Sequence, residues 1–312
     1  MSVIAIDLGG TRIKTGIIEN GAVGELSITD ISINDGLSQY LPSLKDRIKY
    51  LQQQSDSIEG IGIAFPGVVD TKRNTVIGTS GKYNDACTLD LVQWAEKEFG
   101  LALLLENDAR LACLGEWRYG AGQGFSDMVM CTLGTGVGSA AIIDHKILRG
   151  KHYQAGILGG HSIIDFNNTE NKCSCGNYGC VEATASTWMI GDLAKRHPLF
   201  AESKLSKLAA IDLQAVFQES EAGDALAGIL RDHCMKAWGI GLINLIHAYD
   251  PEVVVIGGGI IHSKEIILPY FRKIIAERAW CASGMPEIRA AHYPDSAALL
   301  GTTTLFTKNS NE

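Results

Sequence analysis

The sequence predicts an α/β protein of two domains within one chain of 312 residues. Three observations lead there. A Gly-rich hairpin occurs twice, strand-like and helix-like stretches alternate through both halves, and the chain is long for a single core. The balance of apolar and charged residues is that of a globular protein.

The first hairpin reads "VIAIDLGGTRIKTGIIENG" over residues 3–21, and the second "MVMCTLGTGVGSAAIIDHK" over 128–146. At an offset of about 125, Leu8 falls on Leu133, Gly9 on Gly134, Ile17–Ile18 on Ile142–Ile143 and Glu19 on Asp144. Each copy reads as strand, Gly/Thr tip, strand. Such a tip exposes backbone N–H groups without side chains in the way, which is what cradling a phosphate requires. Two unrelated Gly-rich turns are the competing reading.

Between the copies, periodicity predicts a helix near 36–54, a buried strand at 59–65, a helix near 88–99 and a strand at 101–105. "ENDARLACLGEWRYG" then opens a helix, and the Gly-rich 119–127 marks the expected domain boundary. After the second hairpin come a cysteine-rich segment, helices to about residue 250, and "PEVVVIGGGII", read as strand, glycine turn and helix start.

The net charge of −8 and the lack of a basic run argue against a nucleic-acid surface. No apolar run is long enough for a membrane span, and "MSVIAIDLGG" lacks the basic start of a signal peptide. A cytoplasmic location is therefore expected. There, thiols stay reduced, and Cys87, Cys113, Cys131, Cys234 and Cys281 read as buried and inert.

Four segments carry candidate chemistry. Asp7, Thr11 and Lys14 flank the first glycine turn. Asp7 suits a hydrated Mg²⁺, which takes one or two carboxylates plus phosphate oxygens, or else only fixes the turn. Thr11 and the Gly9–Gly10 amides suit phosphate. Glu106, Asn107 and Asp108 lie at a strand end. Asn107 or Asp108 is either a helix N-cap or, for Asp108, a base placed to take a proton from a hydroxyl. Gly257, Gly258 and Gly259 form a tight strand–helix turn or admit an adenosine against bare backbone. Finally, "CSCGNYGCVEA" places Cys173, Cys175 and Cys180 within eight positions, with His161 twelve residues upstream of Cys173. A disulfide is disfavoured by compartment, and an iron–sulfur cluster ordinarily takes four cysteines. Three Cys and one His suit a closed zinc site, for which His145, His152 and His197 are competing ligands.

With these motifs together, the chain resembles the ROK family (repressor, open reading frame, kinase) of bacterial sugar kinases, in the actin/hexokinase/heat-shock superfamily. "DLGGTRIK" and "LGTGVG" resemble its two phosphate motifs, "ENDA" its catalytic segment, and "VVVIGGGI" its adenosine motif. "CSCGNYGCVE" fits its Cys-x-Cys-Gly-x-x-Gly-Cys-x-Glu signature. The similarity runs from residue 3 to about residue 304.

The resemblance implies a two-lobed actin-like ATPase (ribonuclease H-like) fold with duplicated β-hairpin phosphate motifs. A smaller N-terminal lobe over 1–118, completed by a helix at 297–312, accompanies a larger lobe over 119–296 that holds the zinc site. It implies an ATP-dependent kinase that phosphorylates a hydroxyl, O6 by expectation, of a hexose or hexose derivative, as a homodimer. Asp108 becomes the base. Asp7, Gly9, Gly10, Thr11, Lys14, Gly134, Thr135, Gly136, Gly257, Gly258 and Gly259 serve ATP with its Mg²⁺. Gly67, Asn107, Asp108, His161 and Glu182 face the sugar, and His161, Cys173, Cys175 and Cys180 hold Zn²⁺.

Two departures concern the sugar. The family usually has Glu-x-Gly-His before the cysteines, whereas this chain has Leu158-Gly159-Gly160-His161. The usual Asn-Leu-x-x-Trp loop is replaced by "SGKYNDACTL", with Ser80 and Asn84 near the Asn and Trp positions. Many ROK proteins are repressors with a winged-helix domain ahead of this core. Here the first motif begins at residue 4, so none is expected, and a sugar sensor without a DNA-binding domain is the alternative to a kinase.

Overall fold

The computed structural model describes residues 2–32, 36–55, 57–79 and 81–307. In chain order the elements are β1 (Ser2–Leu8), β2 (Arg12–Glu19), β3 (Ala22–Asp30), α1 (Leu41–Gln52), β4 (Ile58–Phe65), β5 (Gly67–Asp70), β6 (Thr75–Thr79), α2 (Leu91–Phe99), β7 (Leu103–Asn107) and α3 (Asp108–Tyr119). There follow β8 (Met128–Leu133), β9 (Val137–Ile143), β10 (Lys146–Ile147), α4 (Val181–Thr184), α5 (Thr187–Arg196), α6 (Leu213–Glu221), α7 (Ala225–Tyr249), β11 (Val253–Gly257), α8 (Lys264–Arg278), β12 (Glu287–Ala290) and α9 (Ala297–Gly301). The chain forms two units. One comprises Met1–Gly124, Ile147–Ala155 and Asp295–Glu312; the other comprises Phe125–Lys146 and Gly156–Pro294. Residues 147–155 thus group with the first unit, whereas the sequence reading placed them within 119–296.

The first unit is built on a five-stranded sheet ordered β3-β2-β1-β4-β7. β1, β2 and β3 run antiparallel, while β4 and β7 run parallel to β1. β1 and β4 are apolar on both faces, as strands buried from both sides must be, and Ile4, Ile6, Leu8, Ile61, Ile63 and Phe65 enter one core. α2 starts at Asp90, which accepts the Gln93 amide, and stops at Gly100 in the left-handed region, where glycine carries no Cβ penalty. α3 lies close against α9: a Cβ on Gly115 would strike the Ala297 carbonyl, and one on Gly301 the Leu111 carbonyl.

The second unit repeats the plan, with a sheet ordered β10-β9-β8-β11-β12. β8 and β9 pair antiparallel, and β11 and β12 run parallel to β8. α7 is apolar nearly all round, and its Trp238 is buried with the indole N–H donating to the Ala185 carbonyl at 2.7 Å.

The duplication is therefore real, but its constant offset is corrected. Leu8 pairs with Ile13, leaving residues 9–12 at the first tip, whereas Leu133 pairs with Val137, leaving 134–136 at the second. The second tip is one residue shorter. Ile18, opposite Val3, thus corresponds to Ile142, opposite Met128, and not to Ile143.

Other differences are local. Of the five cysteines expected to be buried, Cys113, Cys131 and Cys234 are, whereas Cys87 is exposed and Cys281 half-buried. The helix expected over 36–54 is a 3₁₀ turn at Leu37–Gln39 followed by α1, which has proline in its first turn. The strand expected at 101–105 runs instead to Asn107. A 3₁₀ turn, Gly259–Ser263, precedes α8 after the glycine triplet. The helix expected at 297–312 is α9 and a 3₁₀ turn, Thr302–Leu305; residues 308–312 lie outside the described residues. Among the described residues no helix is long and apolar enough to cross a membrane.

Candidate active site

The end of β7 carries "ENDAR", and each residue has a distinct place. Asn107 is the N-cap of α3: its Oδ1 accepts the Arg110 amide at 3.1 Å. Its Nδ2 donates to the Gly67 carbonyl at 3.0 Å and to Asp108 Oδ1 at 2.9 Å. The amide expected to meet a sugar is thus engaged in fixing the strand end, and Gly67 contributes a carbonyl to that fixation. Asp108 is relieved of capping. Its Oδ1 also accepts the Ala109 amide at 2.8 Å. Burial pushes the Asp108 carboxyl up, against the pull of Lys82 and of local amide donors.

Glu106 and Arg110, which the sequence reading left without a role, are fully buried. Arg110 Nη1 donates to Glu106 Oε1 at 3.2 Å, and Arg149 Nε to Glu106 Oε2 at 2.7 Å. The remaining Arg110 donors reach the carbonyls of Leu148 (2.9 Å), Arg149 (3.4 Å), Tyr153 (3.0 Å) and Ala155 (2.9 Å). This network ties residues 148–155 to the first unit. The spacing of four between Glu106 and Arg110 on adjoining strand and helix was its only sequence signal.

Asp7 ends β1 opposite Lys14. Burial raises its carboxyl to about 6; Lys14 and Lys82 oppose the rise and Asp108 adds to it. The cost of burying that carboxylate is one that a bound divalent cation offsets, so Asp7 fits a single-carboxylate Mg²⁺ site. Gly9 spends its amide inside the turn, donating to the Arg12 carbonyl at 2.9 Å. At Gly10 a Cβ would stand 2.9 Å from both Cε and Nζ of Lys82, whose side-chain end lies over the turn. Thr11 is exposed. Lys14, expected on phosphate, donates to the Asp295 carbonyl at 2.6 Å.

Lys82 and Tyr83, also missed, belong to the loop that departs from the family pattern. Tyr83 is buried and donates its hydroxyl to the Gly9 carbonyl at 2.9 Å, so the loop is stapled to the first hairpin tip. Asn84 is exposed and accepts the Thr79 hydroxyl at 3.2 Å. Ser80 lies outside the described residues.

In the second unit, the glycine triplet and second tip meet. A Cβ on Gly134 would stand 3.7 Å from the Gly259 amide nitrogen, and Gly258, at φ +83°, leaves no room for one against Leu133. Gly257 packs on Met130, and Thr135 is exposed. Gly136 is required by Glu182, whose Oε2 would stand 2.6 Å from a Cβ there. Glu182 Oε2 accepts the Val137 amide at 3.0 Å and Oε1 the Ser174 hydroxyl at 3.1 Å, so this carboxylate joins the second hairpin to the cysteine loop.

The cysteine loop closes on itself. His161 and Cys173, Cys175 and Cys180 bring one ligand atom each to within 4.8 Å of one another. Cys175 and Cys180 sulfurs stand 3.7 Å apart, and Cys173 Sγ is 3.4 Å from His161 Nδ1. A zinc tetrahedron with bonds of about 2.3 Å puts sulfurs about 3.8 Å apart, so the donor set and spacing fit that ion. Burial and the neighbouring Cys173 and Cys175 push the Cys180 thiol upward, a repulsion that a cation relieves. Gly176 and Gly179 take positive φ and let the chain curl, as expected. Leu158 is 44% exposed, one turn ahead of His161.

The ROK family pattern matches residues 3–309. The chain belongs to the ROK family. A glucokinase of Thermotoga maritima is 30% identical over 315 residues, covering 98% of this chain and 97% of its own. A xylose repressor of Caldicellulosiruptor bescii is 30% identical over 313 residues, covering 96% of this chain and 76% of its own. The crystal structure of a ROK family glucokinase from Streptomyces griseus in complex with glucose and AMPPNP matches with a TM-score of 0.80 at 27% identity, over 98% of this chain and 99% of that one. The α/β actin-like ATPase fold is thus established, and ROK members of both kinds, kinase and repressor, resemble the chain.

The Asp7 carboxyl yields a pH-dependent stability. Because its folded value (about 6) exceeds the ordinary 3.8, the protein is favoured below pH 4 and loses that contribution as pH rises through 6. Asp7→Asn removes the loss, at most about 3 kcal/mol. Without nucleotide or Mg²⁺, its melting temperature should exceed the parent's at pH 7.5, with the gain vanishing near pH 4.

Proposed function

We propose that this ROK protein is an ATP-dependent sugar kinase that transfers the γ-phosphoryl group to a hydroxyl of a hexose or hexose derivative, O6 by expectation. The observation that carries the reading is Asp108: a strand-end carboxylate freed from capping by Asn107 and held by Asn107 and the Ala109 amide. The similarity to glucokinases supports the same reading.

The roles follow from charge and position. Asp108 takes the proton of the acceptor hydroxyl as its oxygen bonds to the γ-phosphorus, and the bond to the β–γ bridging oxygen breaks toward ADP. The exposed tips at Gly10–Thr11 and Thr135–Gly136 serve the phosphates, and Gly257–Gly259 the adenosine. Mg²⁺ would be held by Asp7 and supply neutralisation of phosphate charge. His161, Cys173, Cys175 and Cys180 would hold Zn²⁺, which supplies rigidity. Because Glu182 is hydrogen-bonded to Ser174 in that loop, the cluster is a clip that fixes the carboxylate expected at the sugar. The protein acts on small molecules and is expected to be a cytoplasmic homodimer.

Leu158, where the family usually has glutamate, bears on the substrate class. Leucine cannot accept hydrogen bonds from hydroxyls near the anomeric carbon, and an unpaired buried hydroxyl costs about 1–3 kcal/mol. Sugars altered at C1 or C2, including 2-deoxy, epimeric, 2-acetamido and glycosidic forms, are therefore expected to compete well with glucose.

Asp108→Asn keeps shape and removes the proton acceptor, so kcat should fall by about 10² to 10⁴ while the sugar still binds. Since the Asp108 carboxyl is raised, the parent's kcat/KM should decline with acid from above the usual carboxylate range. A coupled ADP assay over a sugar panel checks both; turnover by Asp108→Asn within about threefold of the parent would leave Asp108 a structural residue.

Elemental analysis should find one zinc per chain. Cys175→Ser, or stripping with chelator, should lower melting temperature and activity together, because structural zinc carries roughly 10–16 kcal/mol of binding energy in small domains. Iron, or a fully active protein with no metal, would contradict the site.

A further inference from the structure

We infer that Lys82 is a catalytic residue of the phosphoryl transfer, its ammonium held at the first hairpin tip to meet the γ-phosphoryl group as it passes to the acceptor. This rests on the kinase reading and adds to it a cation that no sequence motif points to.

Three contacts place Lys82. Its Cε and Nζ lie over Gly10, close enough that no Cβ fits there without displacing them. The next residue, Tyr83, is buried and hydrogen-bonded to the Gly9 carbonyl, so the loop cannot swing off the tip without losing that bond and its packing with Phe65 and Tyr40. Two residues on, Asp85 accepts the amides of Leu37 and Ser38 and anchors the loop's far side. The loop is therefore built to hold the residue between these anchors at the phosphate turn.

The charge around it gives the position a purpose. Lys82 is a counter-charge to Asp108, the first of the groups that oppose the effect of burial there. Lys14, the lysine that the motif suggests for phosphate, is tied to the Asp295 carbonyl. Lys82 thus brings an ammonium to the same tip, within electrostatic reach of Asp108. During transfer, charge spreads over the three equatorial phosphoryl oxygens while the acceptor O–P bond forms and the bridging P–O bond breaks. Asp108 gains the acceptor proton, ADP leaves with the electron pair, and Lys82 keeps all its protons, supplying positive charge fixed in place before the reaction.

The test compares parent, Lys82→Met, Lys82→Arg and Lys82→Ala in the full chain, using the best acceptor from the sugar panel. Loss of a preorganised donor costs about 10² to 10³ in kcat. Lys82→Met should lose that much with KM for ATP and sugar within about threefold of the parent and an unchanged melting temperature. Lys82→Arg should recover at least tenfold over Met, and added methylamine or ethylamine should restore Lys82→Ala in a saturable manner. Lys82→Met turnover within threefold of the parent overturns the inference while leaving the kinase reading intact, provided Asp108→Asn is silent. A loss that tracks melting temperature or KM, and that neither arginine nor amines restore, overturns it too. A parent inert on every acceptor overturns the kinase reading and this inference with it.

Discussion

A buried charge network at the end of β7 is the constraint on which the candidate site depends. Glu106 and Arg110 are fully buried, and a carboxylate in that position is tolerable only because Arg110, Arg149 and the Asn107 amide all donate to it. Arg110 in turn discharges its guanidinium on Glu106 and on four carbonyls of residues 148–155. Removing one partner of such a pair costs about 3–5 kcal/mol, because the other charge is left buried and alone. Asn107 and Asp108 lie between these two residues in sequence, so the network fixes the backbone from both sides. Precision at the Asp108 carboxylate is obtained from residues that have no part in the chemistry.

The same economy appears in the second unit. Glu182 is bonded to the second hairpin and to Ser174, and the His161 turn packs on β9 through the Ser139 hydroxyl, which accepts the Gly159 amide at 2.9 Å. The four clustered thiol and imidazole groups thus lie in a segment whose two ends touch the second hairpin. Two glycines that a motif reading gives to phosphate also lie close against the protein's own side chains: Gly136 against Glu182 and Gly10 against Lys82. Glycine in these turns serves close approach by the protein's own side chains as much as by a ligand.

Much of this was legible in the sequence because it rests on period and spacing. The duplicated hairpin, the buried strands β4 and β11 and the cysteine cluster all carry strong local signals. The strands β3, β5, β6, β10 and β12 do not. β3 is exposed along most of its length as a sheet edge, so no alternation marks it, and β10 is only two residues long. At the site, Asp108 stood out as an acid at a strand end, but that Asn107 and not Asp108 caps α3 needed the direction of the Asn107 side-chain amide. Lys82 carried no motif, since its place at Gly10 is created by Tyr83 reaching across 74 residues to the Gly9 carbonyl. Long-range placement of this kind has no local pattern. The one-residue shortening of the second tip was hidden for a simpler reason: Ile18 meets an isoleucine in either alignment, at 142 or at 143.

The central claim is phosphoryl transfer to a sugar whose anomeric end is not held by a carboxylate at position 158. Phosphorus NMR of the parent with ATP, Mg²⁺ and either glucose or its C1- and C2-modified analogues measures it directly. The account predicts one sugar phosphate ester formed for each ADP, only when sugar is present, with at least one modified sugar used as well as glucose. Failure of every sugar to yield an ester would make the protein a sugar sensor, and a preference for plain glucose of about 100-fold over all analogues would contradict the role given to Leu158.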